Sequence, residues 1–390
     1  MPASTWAPGD QEPATPAYSG TRVVVVAHGP PFRGGVPTVA MDLVGDPELN
    51  AEFEVVFQNT SQAQTRRGEL ALDNLRRAVV DAVDTLRLAR RGAVVHTHSV
   101  QDPTLVAWRQ VLIAAAARLR GARVLLHNHA FRPYMEPPGG YRVGRVHRWA
   151  FALLDRLAEA NVLLSARGVP NLAPLMPTTP LPVVANSVVV DEIVPSTADH
   201  EVPVLLFVGE LLERKGVLVL ADALDLLRER HDGKWELRIV GDTTAGVDPE
   251  RDRVVAELRA RGHGPSMIGA LERDQVLEHL TEADVFVFPT FVEGQPFSVI
   301  ESLAAGVPVV GSDIPTVADM VRDGEHGRLV APGDPAALAG ALEEVLGDPA
   351  ARRRMGAACR ALALERFDRR VFRERIAALY RSPGGGSTGA

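Results

Sequence analysis

The sequence predicts an α/β protein made of two doubly wound domains of similar size that face each other across a cleft. Three observations carry this expectation. Short apolar, β-branched runs alternate with longer amphipathic stretches along most of the chain. The alternation breaks once, at the polar, proline-bearing "DEIVPSTADHEVP" (191–203), and then restarts. At 390 residues the chain also exceeds the size at which one hydrophobic core keeps growing.

Residues 1–20 read as a flexible, proline-rich leader. "TRVVVVAHG" (21–29) is a continuous apolar run of the kind found in strands buried on both faces, and "PPFRGGVPTVAMDLV" (30–44) is a glycine loop leading into a helix. "FEVVFQN" (53–59) is a strand, 69–91 a long amphipathic helix and "GAVVHTH" (92–98) a strand. A helix at 104–121, closed by glycine, precedes the strand "ARVLLHNH" (122–129). A helix at 143–157 follows, then "NVLLSA" (161–166) and "LPVVANS" (181–187) as strands. These elements define an N-terminal domain over 21–190, with 191–203 as linker. Strand–helix alternation with helices long enough for crossovers argues a parallel sheet covered on both faces.

The second domain, 204–366, repeats the pattern. Strands are expected at 202–210, 235–242, 266–271, 283–290, 307–312 and 326–330. Helices are expected at 216–231, 249–262, 274–283, 297–305, 334–347 and 349–364. A last helix, 367–381, is expected to cross back to the first domain, ahead of a glycine-rich flexible tail at 382–390.

Composition narrows the function classes. Apolar residues make up 46% and charged residues 23%, an ordinary globular balance, and the net charge of −7 disfavours a general nucleic-acid binder. The single cysteine, Cys359, makes neither an internal disulfide nor a zinc site alone and reads as a core residue. The first twenty residues lack a basic region followed by an apolar run, and no apolar run reaches the ~18–20 residues of a membrane helix. The expectation is a soluble cytoplasmic protein. Nearly all positive charge is arginine; lysine occurs only at Lys215 and Lys234.

The stretch "EGQPFSVIESLAAGVPVV" (293–310) places two carboxylates, Glu293 and Glu301, among apolar runs. Desolvating a carboxylate without a partner is expensive, so either both face water or both are held for a ligand. Gly294 and Pro296 put Glu293 on a loop leaving a strand's carboxyl end, and helix runs from about Phe297 to Ala305, stopped by Gly306. Free backbone N–H groups over 296–299 then point into the cleft, an anion site suited to a diphosphate. Glu301, one turn inside, is placed to accept hydrogen bonds from a vicinal diol such as ribose, and Glu293 from hydroxyls beyond the phosphates.

Three further elements point the same way. In "FVGELLERKG" (207–216), Arg214 and Lys215 are adjacent cations at a helix start, where they oppose the macrodipole unless a diphosphate sits there. Gly34 and Gly35 allow backbone to approach a phosphate or sugar closely. The pairs His96/His98 and His127/His129 each end a buried strand. One imidazole of each pair is expected at the carboxyl edge facing a ligand, the other in the core. Two H-x-H pairs also suggest a metal, but no matching carboxylate or cysteine spacing supports one.

Taken together, "FVGELLERKG", "IVGD", "ADVFVFPTFVEGQPFSVIESLAAGVPVVGSD" and "DGEHGRLVAPGD", in that order, resemble the retaining glycosyltransferase family four, of the GT-B fold with two Rossmann-like domains. The likeness covers the C-terminal domain almost continuously and is sharpest in the E-x7-E element, Glu293 to Glu301. The N-terminal domain is similar more loosely, through Gly34–Gly35, His98 and "HNH". The resemblance implies that Glu301 holds the nucleotide ribose and Glu293 the donor sugar. Gly294, Gln295, Pro296, Phe297, Ser298 and Val299 would offer backbone to sugar and diphosphate, and Gly34 and Gly35 would join the same binding site. Arg214 and Lys215 would stabilise the leaving diphosphate, and Gly209, Gly241 and Ile268 would line the nucleotide site. The donor-site histidine maps to His129, with His127 competing; His98, His127 and Arg132 would border sugar or acceptor. Such enzymes use no metal and no cofactor.

Two positions depart from that pattern. Glu210 stands where relatives often carry arginine, which shifts phosphate neutralisation onto Arg214 and Lys215, and "IPT" (314–316) replaces a frequent glycine pair. The resulting expectation is a retaining transferase moving a sugar from a nucleoside-diphosphate donor, UDP-linked by preference, to an acceptor hydroxyl. A small molecule, a lipid-linked glycan and an oligosaccharide all fit as acceptor, and peripheral membrane contact is compatible with them. The segment 131–147 is expected to border the acceptor site. The rivals are a nucleotide-sugar epimerase on the same fold and a nucleotide-sugar-binding protein without turnover. A nicotinamide dehydrogenase is weakened because no G-x-G-x-x-G follows the first strand.

Overall fold

The computed structural model describes residues 20–32, 34–61, 72–101, 104–129, 136, 140–197, 200–230, 234–244, 246 and 248–382. The expected leader, apart from Gly20, and the expected tail, apart from Ser382, lie outside these residues, as do Arg132 and most of 131–139.

The N-terminal unit runs β1 (Arg22–Ala27), α1 (Gly35–Gly45), α2 (Pro47–Glu52), β2 (Glu54–Asn59), α3 (Leu72–Leu88), β3 (Val94–Ser99), α4 (Thr104–Leu119), β4 (Arg123–Asn128), α5 (Arg145–Leu157), β5 (Ala160–Leu163) and a short α6 (Val169–Leu172). Its five strands are all parallel, in the order β2-β1-β3-β4-β5. Strand alternation divides the core cleanly. Val24, Val26, Val95, Val124 and Leu126 face α4 and α5, whereas Val23, Val25, Val94 and Leu125 face α1 and the chain's last helix.

The C-terminal unit runs β6 (Val204–Val208), α7 (Val217–Arg230), β7 (Glu236–Val240), α8 (Pro249–Ala260), β8 (Met267–Gly269), α9 (Arg273–Thr281), β9 (Val285–Phe288), α10 (Phe297–Ala305), β10 (Val309–Ser312), α11 (Pro315–Ala318), β11 (Gly327–Val330), α12 (Pro335–Gly347) and α13 (Pro349–Leu362). Its sheet is also parallel, ordered β11-β10-β9-β6-β7-β8. Both sheets are therefore doubly wound. The strand order reverses between β1 and β3 in the first and between β6 and β9 in the second, and the loops leaving these strands are where such sheets take ligands.

A π-helical turn, Ala363–Phe367, leads into α14 (Arg369–Arg381), which packs on the N-terminal sheet. Phe372, Ile376, Ala377 and Tyr380 belong to the N-terminal core, and the Tyr380 hydroxyl meets His96 Nδ1 at 2.7 Å. Arg123 donates to the Leu379 and Tyr380 carbonyls, and Arg369 pairs with Asp42 at 2.5 Å. Cys359 sits in the C-terminal core, its Sγ 3.2 Å from the His326 carbonyl, and burial pushes its thiol pKa up.

Several boundaries differ from expectation for local reasons. "LPVVANS" (181–187) is not a sheet strand: it runs beside β5 but shares only the isolated bridge Leu163↔Val183. Prolines at 180 and 182 accept from Asn161 and Leu163 but have no N–H to return, so no ladder propagates. The unforeseen α2 starts at Asp46, whose carboxylate caps the N–H groups of Glu48 and Leu49, with Pro47 at its first position. The segment after Asp191 is no free tether where it is described. Ile193 is buried, its carbonyl accepts from Arg360, and Ser196 N–H donates to the Ala305 carbonyl at 2.7 Å.

Candidate active site

The loops at the two reversal points meet. On the C-terminal side the anchor is the turn Glu213–Lys215, closed by Gly216 in the left-handed conformation (φ 71°). A Cβ at Gly216 would stand 1.9 Å from the Pro289 carbonyl oxygen, so only glycine lets this turn lie against the exit of β9. The Arg214 carbonyl then accepts from Phe291 N–H (2.9 Å) and Thr290 Oγ1 (3.1 Å), tying the post-β6 loop to the post-β9 loop. That tie brings the Lys215 ammonium onto the Glu293 carboxylate as an ion pair, with side chains only 15% and 14% exposed.

Beyond Glu293, α10 begins at Phe297 with Pro296 in the capping position and no side chain capping it. Pro296 has no N–H, so the open donors of the first turn are those of Phe297, Ser298 and Val299, correcting the expectation that included 296. The rest of α10 is buried. Val299, Ile300 and Leu303 are fully enclosed, each contributing roughly 1.5–3 kcal/mol, which holds the helix end rigidly in place. Opposite it, α1 also starts without a side-chain cap, at Gly34. An ideal Cβ on Gly35 would lie 3.7 Å from the Phe297 ring, so two helix N-termini from different sheets converge here. Both carry positive partial charge, and together with Lys215 they make an anion-attracting mouth.

Glu301, one turn further, is 7% exposed and accepts from Arg273 Nε at 2.8 Å. Burial raises its pKa, and the guanidinium offsets part of the rise. Arg273, at the start of α9, carries no local sequence signal for this pairing; only the fold brings it to Glu301. Arg214 does not point with Lys215: its guanidinium pairs with Glu210, both well exposed. The residue that departs from the family pattern is the one that occupies Arg214.

Gly209 and Gly241 line a recess of about 260 Å³ together with Val208, Ala270 and Leu271 at the ends of β6, β7 and β8. A Cβ on Gly241 would stand 2.4 Å from the Gly209 carbonyl oxygen, which explains the glycine at 241. Ile268, expected beside them, instead lines a separate recess with Trp235 and Arg238. Strand alternation turns its side chain away, and Ala270 and Leu271 take its place. Gly294 lies in the same loop as Glu293. Gln295 is an interdomain brace: its side chain accepts from Asn186 N–H (2.6 Å) and donates to the Leu164 carbonyl (3.1 Å), while its own carbonyl accepts from Asn186 Nδ2.

The histidines correct the expectation that each pair would divide between core and cleft. Residues two apart on a strand share a face, and His98 registers with His127, so all four rings lie on one side of the sheet. They form a buried stack, with His96–His127 centroids 5.4 Å apart and planes within 10°. His98 Nδ1 meets His129 Nε2 at 3.1 Å, and both ring nitrogens of His127 lack a partner among the described residues. Burial lowers the pKa of His96 and His129 to about 3, and that of His98 and His127 well below 6.5. His129, just past the end of β4, is the member nearest the carboxyl edge, whereas His127 is wholly enclosed. Nitrogens of His96, His98 and His127 lie within 4.8 Å of one another, all three on buried side chains.

Residues 191–361 match the family model described as glycosyl transferases group 1. Over 178 residues the chain is 34% identical to a glycogen synthase of Mycobacterium tuberculosis, covering 45% of this chain and 42% of that protein. Over 186 residues it is 36% identical to a phosphatidyl-myo-inositol mannosyltransferase of Mycobacterium leprae, covering 45% and 46%. The match thus spans less than half the length of these relatives. Among solved structures, sucrose-phosphate synthase of Thermosynechococcus elongatus superposes with a TM-score of 0.72 at 18% identity, covering 93% of this chain and 98% of that one. Anabaena HepE, solved with UDP and glucose, gives 0.69 at 16% identity, covering 93% and 100%. At these identities the likeness shows the fold, which is GT-B.

Proposed function

Because residues 191–361 match the model of the glycosyl transferases group 1, we propose that the chain transfers a sugar from a nucleoside-diphosphate donor to an acceptor hydroxyl with retention at the anomeric carbon. The observation that carries this reading is the Lys215–Glu293 pair set between two uncapped helix N-termini. A diphosphate fits the helix ends and the Lys215 ammonium, and the adjoining sugar hydroxyls fit the Glu293 carboxylate. The ribose reaches Glu301, and the base lies toward the recess at Gly209 and Gly241. UDP is the preferred nucleotide of this reading, supported by the likeness to a protein solved with UDP.

The bond from the anomeric carbon to the β-phosphate oxygen breaks as the acceptor oxygen bonds to that carbon from the same face. The departing phosphate oxygen takes the acceptor's proton. Lys215, the helix dipoles and a released Arg214 neutralise the growing phosphate charge, a role that asks for no metal ion. Closing the two units excludes water and aligns the reactants. The acceptor is a small molecule, a lipid-linked glycan or an oligosaccharide.

The test is release of free nucleoside diphosphate from a panel of nucleotide sugars, with and without candidate acceptors. Acceptor-dependent release that Glu293→Ala abolishes while donor binding persists supports transfer. Interconversion of donor sugars without release would establish an epimerase instead. The Glu210–Arg214 pair favours one further reading, a nucleotide-sugar-binding protein without turnover, and donor binding with no release in any mixture would establish that.

A further inference from the structure

Helix α3 is built inside out. Its inward side carries, beside Ala78 and Leu88, a polar network: Thr85 Oγ1 donates to Gln58 Oε1 (2.9 Å), Gln58 Nε2 donates to the Asp81 carbonyl (2.8 Å), and Arg109 Nε reaches the Asp81 carboxylate from α4 (2.7 Å). Its outward side is Leu75, Val79, Val80, Val83 and Leu86, from 36% to 57% exposed. Positions 75, 79, 83 and 86 follow helical spacing, so they form one stripe. A surface helix ordinarily turns that stripe to the core.

The neighbouring helices continue the face. α3, α4 and α5 pack side by side over the same side of the sheet, and α4 and α5 add Leu119 (79% exposed), Val146 (55%) and Trp149 (66%). Among the described residues, every residue these three helices leave in the exposed class is apolar or arginine. The exposed charges are Arg76, Arg87, Arg118, Arg145, Arg148 and Arg156. The Asp84 side chain is 42% exposed but pairs with Arg87 at 3.0 Å, and among the described residues the three helices hold no carboxylate residue in the exposed class. This happens in a chain whose net charge is −7.

We propose that this three-helix face docks on an anionic phospholipid surface. The aliphatic stripe of α3 enters the acyl boundary, the guanidiniums spread to the phosphates around it, and Trp149 sits at the headgroup level. A second copy of the chain would set arginine against arginine. A nucleic acid would satisfy the arginines but give nothing for burying Val79 and Val83. The inference is independent of the donor chemistry, since none of these residues belongs to the mouth between the sheets.

The test is sedimentation of the full chain, without donor, with phosphatidylcholine vesicles and with vesicles containing phosphatidylglycerol. Binding is expected only to the anionic vesicles, falling as salt rises. Val79→Asp/Val83→Asp should lower partitioning by at least about tenfold, and Arg145→Gln/Arg148→Gln by a few-fold, chiefly at low salt. These positions are exposed, and unchanged thermal melts verify folding. No binding to anionic vesicles at low salt would overturn the proposal, as would binding that ignores the valine variants. A homodimer in analytical ultracentrifugation that Val79→Asp/Val83→Asp dissociates would assign the stripe to a second copy instead.

Discussion

Lys215 and Glu293, 78 residues apart in sequence, form an ion pair that both chain loops are shaped to produce. Glycine at 216 and the hydrogen bonds to the Arg214 carbonyl exist at the same junction. Removing one partner leaves a largely buried charge uncompensated. Lys215→Met and Glu293→Leu should therefore each destabilise by about 2–4 kcal/mol, with the double variant more stable than either single one. Denaturant titration of all four proteins checks this. Lys215→Ala should also lower kcat by about 10²-fold or more, because it removes charge stabilisation felt in the transition state.

Glu301 separates stability from binding. Burial disfavours its ionised form in the folded protein, so the stability it contributes is present below the ordinary carboxylate range and lost as pH rises through the raised pKa. Glu301→Gln is expected to melt higher than the parent at neutral pH, with the difference vanishing on acidification. Its donor affinity should fall about ten- to a hundredfold, because the ribose loses hydrogen bonds to a charged acceptor. Paired melting curves and calorimetric titration with UDP read the two effects.

Gln295→Ala should loosen the two units. It strands the Asn186 N–H, satisfied by this side chain, at about 1–3 kcal/mol, and removes the donation to the Leu164 carbonyl. A lowered melting temperature, together with a larger radius of gyration in solution scattering, is the expected result.

The histidine stack predicts an acid-sensitive N-terminal unit. Its pKa values are depressed by burial, so its stability is present above the ordinary 6.5 and lost as pH falls toward about 3, where the folded rings must take up protons. His127→Leu removes a ring with two unpartnered nitrogens. It should be neutral or stabilising at pH 7 and should flatten the stability–pH slope between pH 6 and 4 by about one proton. Chemical denaturation across that range measures the slope directly.

The strands were legible because a parallel sheet buried on both faces demands continuous apolar, β-branched runs, and "RVVVVA" and "VFVF" can serve little else. Glu293 and Glu301 stood out for the converse reason, charge inside an apolar context. What failed was what depends on direction or distance. Alternation places His96 and His98 on one face, and it turns Ile268 away from Gly241. "LPVVANS" has strand composition, but prolines at 180 and 182 deny it a ladder. Gln295 meets partners 109 and 131 residues away, and Arg273 meets Glu301 across 28, separations over which no spacing rule operates.

Because Tyr380 and Ile376 complete the core that Val23 and Val25 begin, the C-terminal unit is in effect an insert between two parts of a single folding body. A growing polypeptide leaves the ribosome with its first sheet lacking part of one wall until α14 has been made, while residues 188–367 can already close on themselves. Expressed as fragments, 21–187 should aggregate and 188–367 should stay monomeric, and adding α14 as a separate peptide should rescue the former.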